Sequence, residues 1–209
     1  MFVCVYILLI NITTDLYVKA FTNLKKAWDE KGIILNPKTV MSDYEPEAIN
    51  AVKEVFPEAR TQGCYFHYIQ SIRKNIQNKM LTNKYKNNVE TRKWFDKLKA
   101  LAFLPKDYIN FAYSNIKSIR PFSSNSQNYE KFIIYFEQTW LFGHYKLESW
   151  NQFENVGPRT KNTVEAHNRK IKNELLQKHP NIYQFIVYIK LVETEKAVNY
   201  LDKKIQPFY

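Results

Sequence analysis

A chain of 209 residues with 45% hydrophobic and 16% aromatic content can bury a sizeable core. The low glycine count, four residues, and the lack of repeats or Ser/Gly-rich hinges exclude a linker, a low-complexity protein and a disordered tail. Two cysteines are too few for a disulfide framework. The apolar opening, residues 1–10, has no basic flank and is too short to cross a bilayer, so no membrane association is expected.

The net charge of +11 is concentrated in two stretches of the sequence. Residues 68–110 carry ten basic and three acidic groups, and residues 159–178 carry six and two, whereas residues 1–67 are close to balanced. A concentrated basic surface fits a polyanion such as nucleic acid, because neutralised phosphates release counterions. The alternative is a lysine-rich face that is merely solvated.

Strands and helices alternate over the first third of the chain. A Val- and Ile-rich run predicts a buried strand, and apolar residues at helical spacing predict the helices that follow. In chain order the predicted elements are a strand at 3–10, a helix ending near Gly32, a short strand at 39–41, a helix from Pro46 to Phe56, a strand at about 60–65 and a helix over Tyr68 to Ile76. This alternation predicts a parallel sheet.

The remainder of the chain is predicted to be helical. No strong strand signal occurs between residues 68 and 151 except the run 132–136, whose polar neighbours fit an amphipathic helix as well as a strand. Two further helices are expected at about 163–177 and 182–201, separated by Pro180.

Asp43 follows a predicted strand of the open sheet. Ligand-binding and catalytic groups gather at the carboxyl ends of such strands, and a carboxylate there suits Mg²⁺ or Mn²⁺. The same residue, in the segment SDYEP, is also an ordinary turn or helix-cap residue.

Glu165 is the second acidic candidate. It lies among basic and amide side chains, as a carboxylate that holds a metal near a phosphodiester would. Alternatively, Asn162 and Glu165 form a capping-box pattern, with Arg169 as an i+4 partner of the carboxylate.

Cys64 and His67 form a Cys-x-x-His pair. Structural zinc needs four ligands, and no second pair stands at a suitable spacing, so zinc binding is not expected. The favoured interpretation is a buried cysteine and a hydrogen-bonded histidine at a strand-to-helix junction.

Several spaced motifs, in this order, resemble the middle and C-terminal part of a Mutator-like element (MULE) transposase. They are MSDYEPEAINAV at 41–52, FP at 56–57, QGCYFH at 62–67, LAFLP at 101–105, YFEQTW at 135–140, WN at 150–151 and RTKNTVEAHN at 159–168.

This resemblance implies an α/β, RNase H-like fold, with a mixed sheet that is incomplete because its first strands are missing, and with a large all-helical insertion. Residues 1–67 would be a partial RNase H-like core, 68–158 the helical insertion, and 159–209 the C-terminal helices that close the catalytic core. The family cuts and joins DNA with an Asp-Asp-Glu set that holds divalent Mg²⁺ or Mn²⁺.

The resemblance also assigns roles to individual residues. Asp43 matches the second catalytic and metal-binding acid, Glu165 matches the third, and Cys64 with His67 matches the family's Cys-x-x-His motif. The candidate DNA-binding residues lie in the two basic stretches: Arg73, Lys74, Lys79, Arg159, Lys161, Arg169 and Lys170.

The family's first aspartate has no counterpart, since no acid precedes Asp15. We therefore expect an N-terminally truncated transposase fragment that is inactive as this chain. The alternatives are a domesticated, non-catalytic DNA-binding or regulatory protein, and a helical protein-interaction domain. The partner implied by the resemblance is DNA, as transposon terminal repeats and target DNA, with a nuclear location and possible homo-oligomers.

Overall fold

The computed structural model describes residues 5–121, 126–143, 145–160, 162–175 and 181–205. The chain divides into two compact units, Phe2–Lys161 and Asn162–Tyr209. Most described residues are helical, and one small parallel sheet is present. The predicted mixed α/β class with a helical bulk is confirmed at this level. None of the described helices is long and apolar enough to cross a membrane.

The first unit begins with an α/β segment. Its elements are α1 (Thr14–Asp29), β1 (Thr39–Ser42), α2 (Pro46–Val55) and β2 (Arg60–Gly63). β1 and β2 pair in parallel, with Thr39 opposite Arg60 and Ser42 opposite Gly63. Proline occupies the first turn of α2, where the missing N–H has no intrahelical role. The predicted order of strands and helices over residues 14–63 is confirmed.

The predicted strand at residues 3–10 is wrong over its described part. Residues 5–10 form no strand, and Leu8 and Ile10 are 55% and 97% exposed. An apolar, β-branched run becomes a strand only where a neighbour supplies backbone donors and acceptors. In the described sheet β1 and β2 pair with each other and not with this run. Residues 3 and 4 lie outside the described residues.

A helical block follows β2 and carries the main core. Its elements are α3 (Tyr65–Asn78), α4 (Thr82–Asn87), α5 (Val89–Ala100), a 3₁₀ turn (Leu101–Phe103), α6 (Lys106–Ser118), α7 (Ser126–Phe136), a π-helical turn (Glu137–Leu141) and α8 (Leu147–Trp150). The ambiguous run 132–136 is therefore helix, and Phe132, Ile133 and Phe136 are buried in one continuous core while Ile134 is exposed.

The core of the helical block is rich in aromatic rings with satisfied polar atoms. The Tyr68 hydroxyl donates to the Leu98 carbonyl oxygen at 2.9 Å. The Trp150 indole donates to the Trp140 carbonyl oxygen at 2.7 Å, and the Trp150 ring stacks on Tyr68 at 5.3 Å. Buried aromatic donors with partners fix ring orientation as well as burying area.

Buried amides tie the end of the helical block to β2. The Gln152 amide donates to the Gly63 carbonyl oxygen at 2.9 Å, and the Gln62 amide donates to the Asn151 carbonyl oxygen at 3.1 Å. The Asn151 amide donates to the Leu104 carbonyl oxygen at 2.8 Å. The motifs at 62–67, 101–105 and 150–151 therefore meet at one junction although they are far apart in sequence.

The second unit consists of α9 (Asn162–Glu174) and α10 (Ile182–Ile205) in its described part. The Asn181 side chain accepts from the Gln184 backbone N–H at 2.9 Å, and the Gln184 side chain accepts from the Asn181 N–H at 3.1 Å. This reciprocal capping starts α10. The two helices match those predicted; the division into core, insertion and closing helices remains a prediction.

Candidate nucleic-acid interface

Asp43 lies directly after β1, at the carboxyl end of the sheet. Glu45, not Asp43, occupies the N-cap position of α2, and the Glu45 side chain makes no capping hydrogen bond. Instead, Asp43 Oδ1 lies 3.1 Å from His67 Nδ1, and the Asp43 side chain is 46% exposed. The helix-cap interpretation is therefore wrong, and the carboxylate faces the first turn of α3.

The Cys-x-x-His motif forms the junction between β2 and α3. Cys64 is wholly buried at the N-cap position of α3, and His67 stands one turn later. A metal-ligating atom of Cys64 and one of His67 lie within 4.8 Å of each other. The predicted buried cysteine is confirmed, and the histidine links α3 to the end of β1 through Asp43.

The turn that carries Asp43 is fixed by aromatic packing. The Tyr44 ring makes edge contacts with Trp140 and Tyr145, each at 4.9 Å between centroids. The Tyr145 hydroxyl donates to the Tyr44 carbonyl oxygen at 2.8 Å. Burial raises the pKa of Tyr44, so its hydroxyl stays protonated. A side chain at Gly63 is sterically excluded, since a Cβ there would lie 2.3 Å from the Tyr44 ring.

Glu45 is a second carboxylate at the same turn, and α1 holds it in place. The Tyr17 hydroxyl donates to both carboxylate oxygens of Glu45, at 3.1 and 3.2 Å. Burial and this hydrogen bond raise the pKa of Tyr17. α1 thus contributes a contact to the turn even though none of its residues is fully buried.

A cleft of about 960 Å³ opens beside this turn. Asp43, Glu45 and His67 line it together with the exposed cations Arg73 and Lys74 of α3. Acidic oxygens can hold a divalent cation, and guanidinium and ammonium groups bind phosphate oxygens. The cleft therefore contains both chemical groups that a phosphodiester site requires.

Lys79 and Arg159 of the first unit do not line this cleft. Lys79 ends α3, and the Arg159 guanidinium lies over the Phe103 ring, 5.1 Å from its centroid. The Arg159 carbonyl oxygen accepts from the Tyr65 N–H at 2.9 Å, so the residue also anchors the start of α3. Lys161 lies outside the described residues.

Three predicted residues belong to the second unit. Glu165 is in the first turn of α9, and Arg169 and Lys170 lie further along the same helix. Lys170 Nζ is 3.6 Å from Glu174 Oε1, an i,i+4 pair on the surface. The Asn162 side chain is not among those that the structure describes, so the capping-box interpretation of Glu165 stays open.

Sequence reasoning missed Glu45, Gln70, Gln77 and Tyr145 as lining residues of the cleft. A signal existed for the two glutamines: they share a helical face with Arg73 and Lys74, opposite the apolar residues of α3. No local signal pointed to Tyr145, which comes to the cleft from about 100 residues further along the chain.

One protein-family model matches the N-terminal third of the chain. Residues 1–71 match the family model of the MULE transposase domain. The match covers about a third of the chain and includes Asp43, Cys64 and His67; it supports a MULE transposase-like domain in this part of the chain.

One curated protein is similar over most of the chain. The PKS-NRPS hybrid synthetase cheA of Chaetomium globosum is 23% identical over 200 residues, which cover 84% of this chain and 4% of the synthetase. The chain thus spans a very small part of that protein's length, and the synthetase name describes that protein alone. No solved structure matches the chain.

Proposed function

We propose that the protein is a DNA-binding module of the DDE transposase type, and that the cleft beside Asp43 contacts the phosphodiester backbone. One observation carries this proposal: Arg73 and Lys74 are exposed in the same cleft as Asp43, which matches the family's second acid. The excess positive charge of the stretch that contains them supports a polyanion partner.

The chemistry proposed for the site follows the family resemblance. Asp43 and Glu165 are the residues that would hold Mg²⁺ or Mn²⁺, within an RNase H-like fold. Asp43 fits such a role, since its half-exposed carboxylate offers hard oxygen ligands in a polar cleft. When bound, the ion would stabilise charge during in-line attack on a phosphodiester. The residues of this chain orient the acid and bind the backbone.

A second candidate function is non-catalytic DNA binding by a domesticated derivative. Asp43 Oδ1 lies 3.1 Å from His67 Nδ1, so the carboxylate would pair with a protonated histidine without any metal. In this case, the cations of the cleft would keep their role while the carboxylate served only the structure. For both candidates, we propose transposon terminal repeats or target DNA as partners, a nuclear location, and action as a homo-oligomer.

DNA binding is tested by removing the two cleft cations. Arg73→Ala with Lys74→Ala should lower the slope of log affinity against log salt by about 1.5–2, because two phosphate contacts are lost. The matched control is Lys93→Ala with Lys97→Ala, two exposed lysines of α5 that do not line the cleft. Fluorescence anisotropy with labelled DNA at several salt concentrations measures both. Equal slopes for the two double variants would contradict the cleft as the binding site.

Catalysis is separated from binding with isosteric variants of the two acids. Because the family's first aspartate has no counterpart, the parent chain should show no cleavage of a labelled DNA substrate in Mn²⁺. If the parent does cleave, Asp43→Asn and Glu165→Gln should each abolish that cleavage while leaving affinity within about threefold, because neither residue is a phosphate-binding cation. Cleavage that depends on both acids would contradict the non-catalytic candidate, and binding through Arg73 and Lys74 without cleavage agrees with an inactive chain.

A further inference from the structure

One face of α3 is built as a polar track. Tyr68, Ile72 and Ile76 are buried in the core. The opposite side carries exposed residues at spacing i, i+3, i+4 and i+7, all of which line the cleft: Gln70, Arg73, Lys74 and Gln77. This spacing places four side chains in one row. We call this row the α3 track. Its two amides and two cations provide hydrogen-bond donors along about two turns of helix.

An aromatic wall lies in the same cleft. The Tyr145 ring stacks on Trp140 with 5.0 Å between centroids and an interplanar angle of 26°. Both residues line the cleft, and Tyr145 also lines a second cavity of about 640 Å³. Tyr145 is therefore the half-buried member of an existing stack, and it brings aromatic surface to the cleft.

From this arrangement we propose that the cleft prefers a single-stranded polynucleotide to a duplex. The α3 track binds successive phosphates and sugars of one strand, and Tyr145 stacks with an unpaired base. A basic groove combined with an aromatic platform is the usual design for single strands, whereas duplex bases are already stacked on one another. A cleft of about 960 Å³ also has the size of a site for a few nucleotides. The inference rests on the proposed DNA-binding function.

Strand form is tested first, with the unmodified chain. A labelled 12-nucleotide single strand of mixed sequence is compared with a hairpin duplex of the same base composition, by anisotropy in low salt. The single strand should bind at least about tenfold more tightly, since stacking of one base contributes roughly that factor or more. Equal affinity for the two forms would overturn the preference.

The two glutamines are tested next, because they distinguish the α3 track from simple charge attraction. Gln70→Ala with Gln77→Ala should lower single-strand affinity about tenfold, since two neutral hydrogen bonds are lost, and should leave the salt slope unchanged. The matched control is Asn110→Ala with Gln127→Ala, two exposed amides of α6 and α7 outside the cleft. An affinity loss equal to that of the control would overturn the role of the track.

Stacking on Tyr145 is tested by changing the DNA ligand. Single strands with one abasic position, moved along the sequence, should lose about tenfold in affinity at one or two positions. Tyr145→Phe, which keeps the ring, should preserve that position-dependent loss, although it removes the hydrogen bond to Tyr44. Uniform affinity for all abasic strands would contradict a stacking site.

The outcomes separate this inference from the proposed function. If the chain binds no DNA, or if removal of Arg73 and Lys74 has no effect, the proposed function fails. Suppose that removing the cations weakens DNA binding, but that affinity does not depend on strand form, on Gln70 and Gln77, or on the abasic position. The proposed function then stands, and the single-strand inference is wrong.

Discussion

Substituting alanine for Gly63 should damage the turn that carries Asp43. A Cβ at residue 63 would lie 2.3 Å from Tyr44 Cε1 and 2.6 Å from its hydroxyl oxygen. Carbon atoms in contact prefer about 3.5–4.0 Å, so the ring must move by more than roughly 1 Å. The ring cannot swing freely, because Trp140 and Tyr145 contact it on its edges.

The size of the effect follows from overpacking and from lost ring contacts. Overpacking a tight core costs about 1–3 kcal/mol, and each aromatic pair contributes about 0.5–1.5 kcal/mol. We expect Gly63→Ala to lower the free energy of unfolding by about 2–3 kcal/mol. For a chain of this size, that corresponds to a fall in Tm of roughly 5–10 °C. Urea and thermal denaturation followed by circular dichroism measure both quantities.

Gly157→Ala provides the matched control. A Cβ at Gly157 would lie 3.4 Å from Asn155 Oδ1, an ordinary contact, so its free energy of unfolding should change by less than about 0.5 kcal/mol. A double-mutant cycle with Tyr44→Ala tests the cause, because removing the ring removes the clash. In that background Gly63→Ala should cost less than about 0.5 kcal/mol. Strict additivity of the two substitutions, or a Gly63→Ala variant as stable as the control, would refute the reasoning.

Two further predictions concern the core of the helical block. Trp150→Phe should lower the free energy of unfolding by about 1–3 kcal/mol, measured in urea, because it leaves the buried Trp140 carbonyl oxygen without its indole donor; an unchanged midpoint would contradict this. Burial raises the pKa of Glu137, but hydrogen bonds from Lys117 and Tyr113 outweigh it and lower the pKa below the usual 4.5. A lowered pKa stabilises the fold above the unfolded-state pKa and loses that contribution as pH falls. In urea melts, Glu137→Gln should therefore be less stable than the parent at pH 7, and the difference should shrink as pH falls through the lowered pKa of Glu137; a difference that is constant with pH would argue against the ion pair.

Much of the local structure could be predicted from the sequence. Residues 39–63 form strand, helix and strand as expected, because the hydrophobic period and a proline in the first helical turn specify these elements locally. The parallel pairing of β1 and β2 follows, since the helix between them allows a crossover. Asp43 was expected at a strand end, and it lies there.

The run at 3–10 shows the limit of local reasoning. Its composition favours a strand, but a strand exists only when another strand accepts its hydrogen bonds, and in the described sheet β1 and β2 pair with each other. The run at 132–136 shows the opposite case. Its sequence fitted helix or strand, and packing of one face against the core settled it as helix.

The helical and strand periods, the uneven charge and the motifs that carry the family resemblance are all visible in the sequence. Three contacts became known only from the folded chain: His67 faces Asp43, Tyr44 crowds any side chain at residue 63, and Tyr145 shares a cleft with the polar face of α3. Distance along the chain explains the difference. Periodicity acts over a few residues, whereas these contacts join segments up to about 100 residues apart and arise only when a shared core is packed.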